Sequence, residues 1–181
     1  DVKKWGKYGT SAKWYVESLK ESFSERYGHY LHKNDIDIGI CLIDKEDKRH
    51  WGKISPVDIF KGVTPNVVPD KSGQVEVYTW TVPPVSKEAN YTTQGINFYR
   101  NDVKIATNKF VKSGTRKKIA KVHNKNHPAI RQAVLFKSIS DESFQINHFK
   151  TTIDFENNEL EELCAKEFDK AVANHETSVR D

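Results

Sequence analysis

The 181-residue chain contains no methionine and only two cysteines, and it has no long apolar run. A membrane-spanning helix needs roughly 20 mostly apolar residues, so the sequence predicts no membrane partner. Cys41 and Cys164 lack CxxC spacing and histidine companions, which favours reduced thiols in a cytoplasmic protein and predicts no metal site. Because methionine is absent and the chain starts abruptly at Asp1, we expect a fragment of a longer protein.

Acidic residues are missing from one long stretch, although the net charge of the whole chain is only +4. Residues 103–140 carry ten basic side chains and no carboxylate, whereas residues 141–181 carry four basic and eleven acidic side chains. A carboxylate-free surface of this kind suits a polyanion such as DNA. A solvated loop that the acidic C-terminal segment partly neutralises accounts for the same pattern equally well.

Apolar residues at spacings of three or four predict a helix near each end of the chain. The first helix covers residues 11–31 and can be capped by Thr10 or Ser11, and the last covers residues 157–175. The apolar positions are Val16, Leu19, Phe23, Tyr27 and Tyr30 in the first helix, and Leu160, Leu163, Cys164, Phe168, Ala171 and Val172 in the last.

Between the helices, alternating apolar residues and β-branched runs predict strands. Residues 44–50 are expected to form a charged turn, residues 51–73 irregular structure because of three prolines, and residues 107–127 a basic loop. This order predicts an α+β fold in a single domain over residues 1–181, with a mixed, mainly antiparallel sheet and helices packed on one face. The expected strands cover residues 36–42, 74–82 and 129–139, with a hairpin of 96–99 and 103–106 around Asn101-Asp102.

Five segments, in order along the chain, resemble the second domain of GHKL-superfamily ATPases in the MORC-like or bacterial chaperone-like branch. One of them is Gly95-Ile96-Asn97-Phe98-Tyr99-Arg100-Asn101-Asp102-Val103-Lys104-Ile105, a strand, an asparagine turn and a returning strand. The usual "NRLI" of that motif is here Asn101-Asp102-Val103-Lys104-Ile105. The others are Gly9-Thr10 before the first helix, Ser55-Pro56-Val57-Asp58-Ile59-Phe60, the stretch 134–146, and Asn147-His148-Phe149-Lys150.

The resemblance implies a ribosomal-protein-like transducer fold, which passes the effect of ATP binding and hydrolysis to the rest of a larger protein. It implies an upstream ATP-binding domain as partner, with ATP and Mg²⁺ bound in that parent protein, and it raises a homodimer of the parent as a further expectation. The chain has no glycine-rich lid and no helix with the glutamate and asparagine that hold water and magnesium. It is therefore expected to bind no cofactor and to hydrolyse no ATP alone.

Lys150 is the residue for which the resemblance implies a catalytic role, because one transducer lysine in this family contacts the γ-phosphate of ATP. A compact cation there stabilises the charge that develops during phosphoryl transfer. An ordinary surface lysine at a strand edge is the competing interpretation.

Basic side chains outside Lys150 are candidates for nucleic-acid contacts. Arg100 stands at the hairpin turn, where it can reach a phosphate or a neighbouring domain, although a charge at a hairpin tip is more often simply solvated. A basic run follows, and its cations can track a phosphate backbone. The run comprises Lys109, Lys112, Arg116, Lys117, Lys118, Lys121 and Lys125.

Two other classes of function compete with the transducer. A stand-alone nucleic-acid-binding or nuclease domain could use the 103–140 segment. Its only nuclease signals are the compact string His123-Asn124-Lys125-Asn126-His127 and the acidic residues Asp70 and Glu76. The third class is an interaction module that docks a partner through the hairpin and the final helix.

Overall fold

Two helices and seven strands make up the described part of the chain, and most strand pairs are antiparallel. This is an α+β fold, as predicted. The chain divides into two compact units, one ending at Ile59 and the other beginning at Phe60. The expectation of a single domain stays a prediction. The structure describes residues 11–82, 96–108, 129–137 and 158–180, in a computed structural model.

The first unit packs helix α1 (Ala12–Asn34) on a two-stranded antiparallel sheet of β1 (Gly39–Ile43) and β2 (Arg49–Lys53). Gly52 allows the close approach of helix and sheet, because a Cβ at this position would lie 2.6 Å from Val16 Cγ1. A larger residue at position 52 would therefore push α1 away from β2.

Helix α1 begins and ends close to the predicted boundaries. Ser11 is the N-cap, and its side chain accepts a hydrogen bond from the Trp14 N–H at 3.4 Å. The helix ends at Asn34, and Asp35 takes the left-handed conformation (φ 52°) that closes many helices. The predicted start at residue 11 and the predicted end at residue 31 thus differ from the structure by only a few residues.

The buried face of α1 differs from the prediction. Val16 is buried as expected, but Phe23 and Tyr30 are 41% and 36% exposed. The buried face instead passes through Gly28, whose carbonyl accepts the Val57 N–H at 2.9 Å, and where a Cβ would lie 2.6 Å from Val57 Cγ2. A glycine contact of this kind contributes no apolar residue to the pattern, so spacing alone placed the face incorrectly.

The second unit is built on a five-stranded sheet in the order β3-β4-β7-β5-β6. Strands β5 and β7 are parallel, whereas the other neighbouring pairs are antiparallel. A β-bulge lies where Phe98 and Tyr99 face β6. The strands are β3 (Asn66–Pro69), β4 (Val75–Thr81), β5 (Ile96–Arg100), β6 (Val103–Asn108) and β7 (Ile130–Phe136).

Helix α2 (Asn158–Arg180) covers one face of this sheet through contacts with β4 and β7. Strand β7 lies in the middle, and all seven of its residues are buried. Neither α2 nor α1, the helices of the described residues, is both long and apolar enough to cross a membrane. The main core cluster consists of Val75, Val77, Ile96, Phe98, Val134, Phe136, Leu160 and Cys164.

Strands β2 and β3 lie where the sequence predicted none. Residues 49–50 of β2 were expected in the charged turn 44–50, and the rest of β2 and all of β3 in the irregular stretch 51–73. Strand β2 reads Arg-His-Trp-Gly-Lys, which has no alternation of apolar residues. Strand β3 is at the sheet edge and ends at Pro69, a residue that an edge strand tolerates because one side needs no backbone donor.

Candidate functional site

Arg100 is the one predicted site residue that the structure describes. It is the last residue of β5, paired across the sheet with Val103 of β6 and Phe136 of β7. Asn101 and Asp102 follow with φ values of 48° and 65°, as a tight two-residue hairpin turn requires. The Asn101 N–H also donates to the Phe136 carbonyl at 2.9 Å. Arg100 is therefore half-buried on a firmly held hairpin end rather than on a free tip.

The remaining predicted site residues lie outside the described residues, so their roles stay predictions. Lys150, the predicted γ-phosphate contact, follows β7 and precedes α2 in the chain. The basic run lies between β6 and β7 and comprises Lys109, Lys112, Arg116, Lys117, Lys118, Lys121 and Lys125.

The carboxylate-free segment 103–140 is less available to a polyanion than its charge count indicates. Lys104 and Arg131, two of its ten basic residues, are buried, with 8% and 3% of their surface exposed. Burial lowers the pKa of the Arg131 guanidinium, which also donates from Nη1 to the Ile130 carbonyl at 3.0 Å. Lys137, after β7, is exposed. A phosphate-binding surface would therefore depend on Lys137 and the basic run.

The second face of the five-stranded sheet, opposite α2, carries aromatic residues. The Phe60 ring stacks on Tyr78 with centroids 4.9 Å apart, and it packs edge-on against Trp80 at 5.2 Å. The Tyr78 hydroxyl donates to Glu76 Oε2 at 2.7 Å. Burial, together with this bond, raises the pKa of Tyr78 to about 12. Tyr78 therefore remains a protonated hydrogen-bond donor near neutral pH and is unsuited to act as a general base.

A polar groove lies between the second half of α2 and the edge of the sheet formed by β3 and β4. We call it the α2 groove, and no sequence pattern predicted it. Glu167 is one of its lining residues, with 3% of its surface exposed. Its Oε2 accepts from Asn66 Nδ2 at 2.8 Å, and its Oε1 accepts from Lys170 Nζ at 2.6 Å. The groove is lined by Thr64, Asn66, Thr79, Trp80, Thr81, Glu167, Lys170, Ala171 and Asn174.

A buried amide holds one wall of the α2 groove. Gln132 Nε2 donates to the Thr79 hydroxyl at 3.1 Å and to the Cys164 carbonyl at 2.8 Å. A carbonyl only accepts hydrogen bonds, so the nitrogen of the Gln132 amide must face Cys164. Thr79 therefore accepts from Gln132, and its own hydroxyl proton remains available to donate.

The first unit holds a histidine–carboxylate pair that closes the β1–β2 turn. The Asp44 Oδ2 and His50 Nε2 atoms are 2.8 Å apart, and Asp44 Oδ1 accepts the N–H groups of Glu46 and Lys48 at 2.9 and 3.0 Å. The His50 hydrogen bond, followed by these backbone donors, lowers the pKa of Asp44. Because both side chains are committed to the turn, the pair has a structural role.

Carboxylates, histidines and thiols do not come together as a metal site in the parts of the chain described. No group of three or more of these side chains has a geometry that could hold an ion there. Cys41 is exposed, Cys164 is buried, and both are free thiols. The string Asp37-Ile38-Gly39, which has the letters of a nucleotide-binding Asp-x-Gly, leads into β1, and its carboxylate pairs with Lys53 at 2.7 Å on the surface.

Comparison with known proteins adds no assignment. No protein-family model matches the chain, and no curated protein is significantly similar to it. The resemblance to the second domain of GHKL ATPases therefore rests on the five ordered segments alone.

Proposed function

We propose that this chain is a transducer domain that couples ATP binding and hydrolysis in a preceding GHKL nucleotide-binding domain to conformational change, in a protein that handles DNA or acts in defence. The observation that carries the proposal is the order of elements around the hairpin of β5 and β6. The segment 95–105, the strand β7, the segment that contains Lys150 and the helix α2 follow one another as they do in that family.

The arrangement of the second unit gives physical support. Strand β7 is parallel to β5 and antiparallel to β4, so one buried strand joins the hairpin to the rest of the sheet. Helix α2 packs on the same strand. A displacement of the segment between β7 and α2, where Lys150 lies, would act directly on this buried strand and on the helix. That coupling is what a transducer requires.

ATP and Mg²⁺ belong to the preceding domain under this proposal. When bound there, they supply the phosphoryl group and the cation that neutralises its charge. The contribution of this chain is the Lys150 ammonium, a single cation that senses the γ-phosphate. A homodimer of the parent and an upstream domain as partner are part of the same proposal.

The proposal predicts where ATP turnover occurs. The full-length polypeptide encoded by the gene should hydrolyse ATP with Mg²⁺, while residues 1–181 alone should show no turnover above background. Steady-state phosphate release from the two purified proteins tests this. Turnover by the 181-residue chain alone would contradict the transducer assignment, and so would a full-length polypeptide without any ATP-binding domain.

DNA binding through the basic run is a second candidate, favoured by the absence of carboxylates from residues 103–140. If about four phosphates are neutralised, the affinity of the 181-residue chain for duplex DNA should fall with salt with a log–log slope of about −4. Fluorescence anisotropy at increasing salt measures this slope. Replacing Arg116, Lys117 and Lys118 together by glutamine should reduce its magnitude by about 3.

The matched control for that experiment is the pair Lys45→Gln and Lys48→Gln, two exposed cations in the β1–β2 turn. These changes should leave the slope unchanged. A slope near zero for the original chain, or an equal effect of the control changes, would exclude the basic run as a DNA-binding surface.

A further inference from the structure

The α2 groove is a half-open cavity of about 350 Å³, which is within the size range of small-molecule sites. Its helix wall is formed by Glu167, Lys170, Ala171 and Asn174, at spacings of three, four and seven residues. Side chains at these spacings share one face of an α-helix. Glu167, Lys170 and Asn174 give this face of α2 its polar side chains, next to the apolar Ala171.

The pairing register of β3 and β4 determines which side chains form the sheet wall of the groove. Asn66 of β3 is paired directly with Thr79 of β4, so both side chains lie on the same face of the sheet. Thr81, two residues further along β4, lies on that face as well. Trp80 also borders the cavity, although strand alternation directs its ring to the opposite face, where it contacts Phe60. Amide and hydroxyl groups therefore make up most of this wall.

The charge in the α2 groove is balanced. Glu167, whose side chain is 2% exposed, pairs with the ammonium of Lys170 at 2.6 Å. The pair adds no net charge to the groove, so Coulomb attraction gives a charged ligand no advantage over a neutral one.

Donors and acceptors are interleaved at short range in the α2 groove. Each carboxylate oxygen of Glu167 can accept more than the one hydrogen bond it receives from Asn66 or Lys170. The Thr79 oxygen accepts from Gln132, and a hydroxyl that accepts in this way can still donate its own proton. A hydroxyl group both donates and accepts, so adjacent hydroxyls of one ligand can satisfy adjacent groups of this wall.

We propose that the α2 groove binds a neutral, polyhydroxylated molecule of monosaccharide size, with its hydroxyl groups on Glu167, Asn66 and Thr79. Such chemistry occurs in free sugars and in the ribose of a nucleoside. This binding proposal does not depend on the proposed transducer role of Lys150, so an experiment can contradict either proposal without contradicting the other.

Ligand-observed NMR titration of the 181-residue chain tests the proposal. The probes are D-ribose and D-glucose for free sugars, and adenosine and uridine for nucleosides. At least one should saturate, with a dissociation constant on the order of 1 mM. Ribose 5-phosphate and glucosamine add a negative or a positive charge to the same type of ring, and each should bind more weakly than its neutral parent.

Two variants test whether the ligand binds in the α2 groove. Glu167→Gln keeps the shape of the side chain but loses the charge-assisted bonds, so affinity should fall about tenfold, which corresponds to about 1.4 kcal/mol. Asn174→Leu replaces an exposed amide of the groove lining by a larger apolar side chain and should weaken binding at least as much. Asp169→Ala, an exposed change on the same helix outside the groove, is the control and should bind as the original chain does.

Circular dichroism establishes whether each variant is folded, and Asn174→Leu decides the outcome if Glu167→Gln is not. The proposal is overturned if no neutral probe saturates, or if the charged analogues bind as well as their neutral parents. It is equally overturned if the folded groove variants bind like the Asp169→Ala control. Saturation by sugars but not nucleosides, or the reverse, identifies the source of the ligand.

Discussion

Replacing Lys150 by alanine in the full-length polypeptide is expected to lower ATP turnover by about a hundredfold to a thousandfold, which corresponds to roughly 3–4 kcal/mol of transition-state stabilisation. ATP binding should stay nearly unchanged. Lys150 lies outside the described residues, and the expectation follows from the proposed transducer role. A lysine that touches only the γ-phosphate contributes most when charge develops there, so its loss affects kcat more than the dissociation constant of ATP.

Single-turnover phosphate release and equilibrium nucleotide binding separate the two effects. Lys150→Arg keeps the charge but replaces a compact ammonium by a planar guanidinium, and should recover only part of the rate. Lys137→Ala is the matched control, since Lys137 is an exposed lysine directly after β7 in the same carboxylate-free segment. Unchanged turnover in Lys150→Ala, or an equal loss in Lys137→Ala, would remove Lys150 from the mechanism.

The central part of the second unit could be predicted because its signals are local. Strand β4 combines β-branched and aromatic residues with alternating burial, and β7 is a continuous run of residues buried on both faces. The hairpin turn at Asn101 and Asp102 needs two residues that tolerate positive φ, and asparagine and aspartate do so. Each of these features depends on residues that are neighbours in the sequence.

Other elements depend on partners far away in the sequence, and local patterns did not reveal them. Strand β2 is held by pairing with β1, and Gly52 is needed because α1 passes close above it. The buried face of α1 likewise includes Gly28 because residues 55–57 pack against it. In the sequence alone, such a glycine only disfavours a strand or helix, because the segment that packs against it is not known.

The α2 groove escaped prediction for a related reason. The spacing of Glu167, Lys170 and Asn174 was available in the sequence, but a polar helical stripe is usually a solvated face. Its significance depends on Asn66, about a hundred residues earlier, which meets Glu167 only through the register of β3 on β4. Arg100 shows the converse case, where the sequence placed the residue at the hairpin correctly but could not tell that it is half-buried.

Phe98→Ala should cause the largest loss of stability of the changes considered, about 3–5 kcal/mol in the free energy of unfolding. Phe98 is fully buried, with 0% of its surface exposed, in the core cluster beneath α2. Truncation removes apolar contacts and leaves a cavity that the surrounding strands cannot fill. The typical free energy of unfolding of a domain is only about 5–15 kcal/mol, so this change removes a large part of it. Urea denaturation of the 181-residue chain measures it.

Val67→Ala is the control, because Val67 is 43% exposed on the edge strand β3 and its truncation should cost less than about 0.5 kcal/mol. A loss below about 1 kcal/mol in the stability of Phe98→Ala would contradict the packing described for α2.

A comparison of Phe98→Ala with Lys150→Ala distinguishes a structural role of the segment 95–105 from a role in ATP turnover. In the full-length polypeptide, Phe98→Ala should lower ATP turnover only in proportion to the unfolded fraction, whereas Lys150→Ala should lower it in a fully folded protein. The hairpin residues would then hold the sheet, and Lys150 would report on the nucleotide.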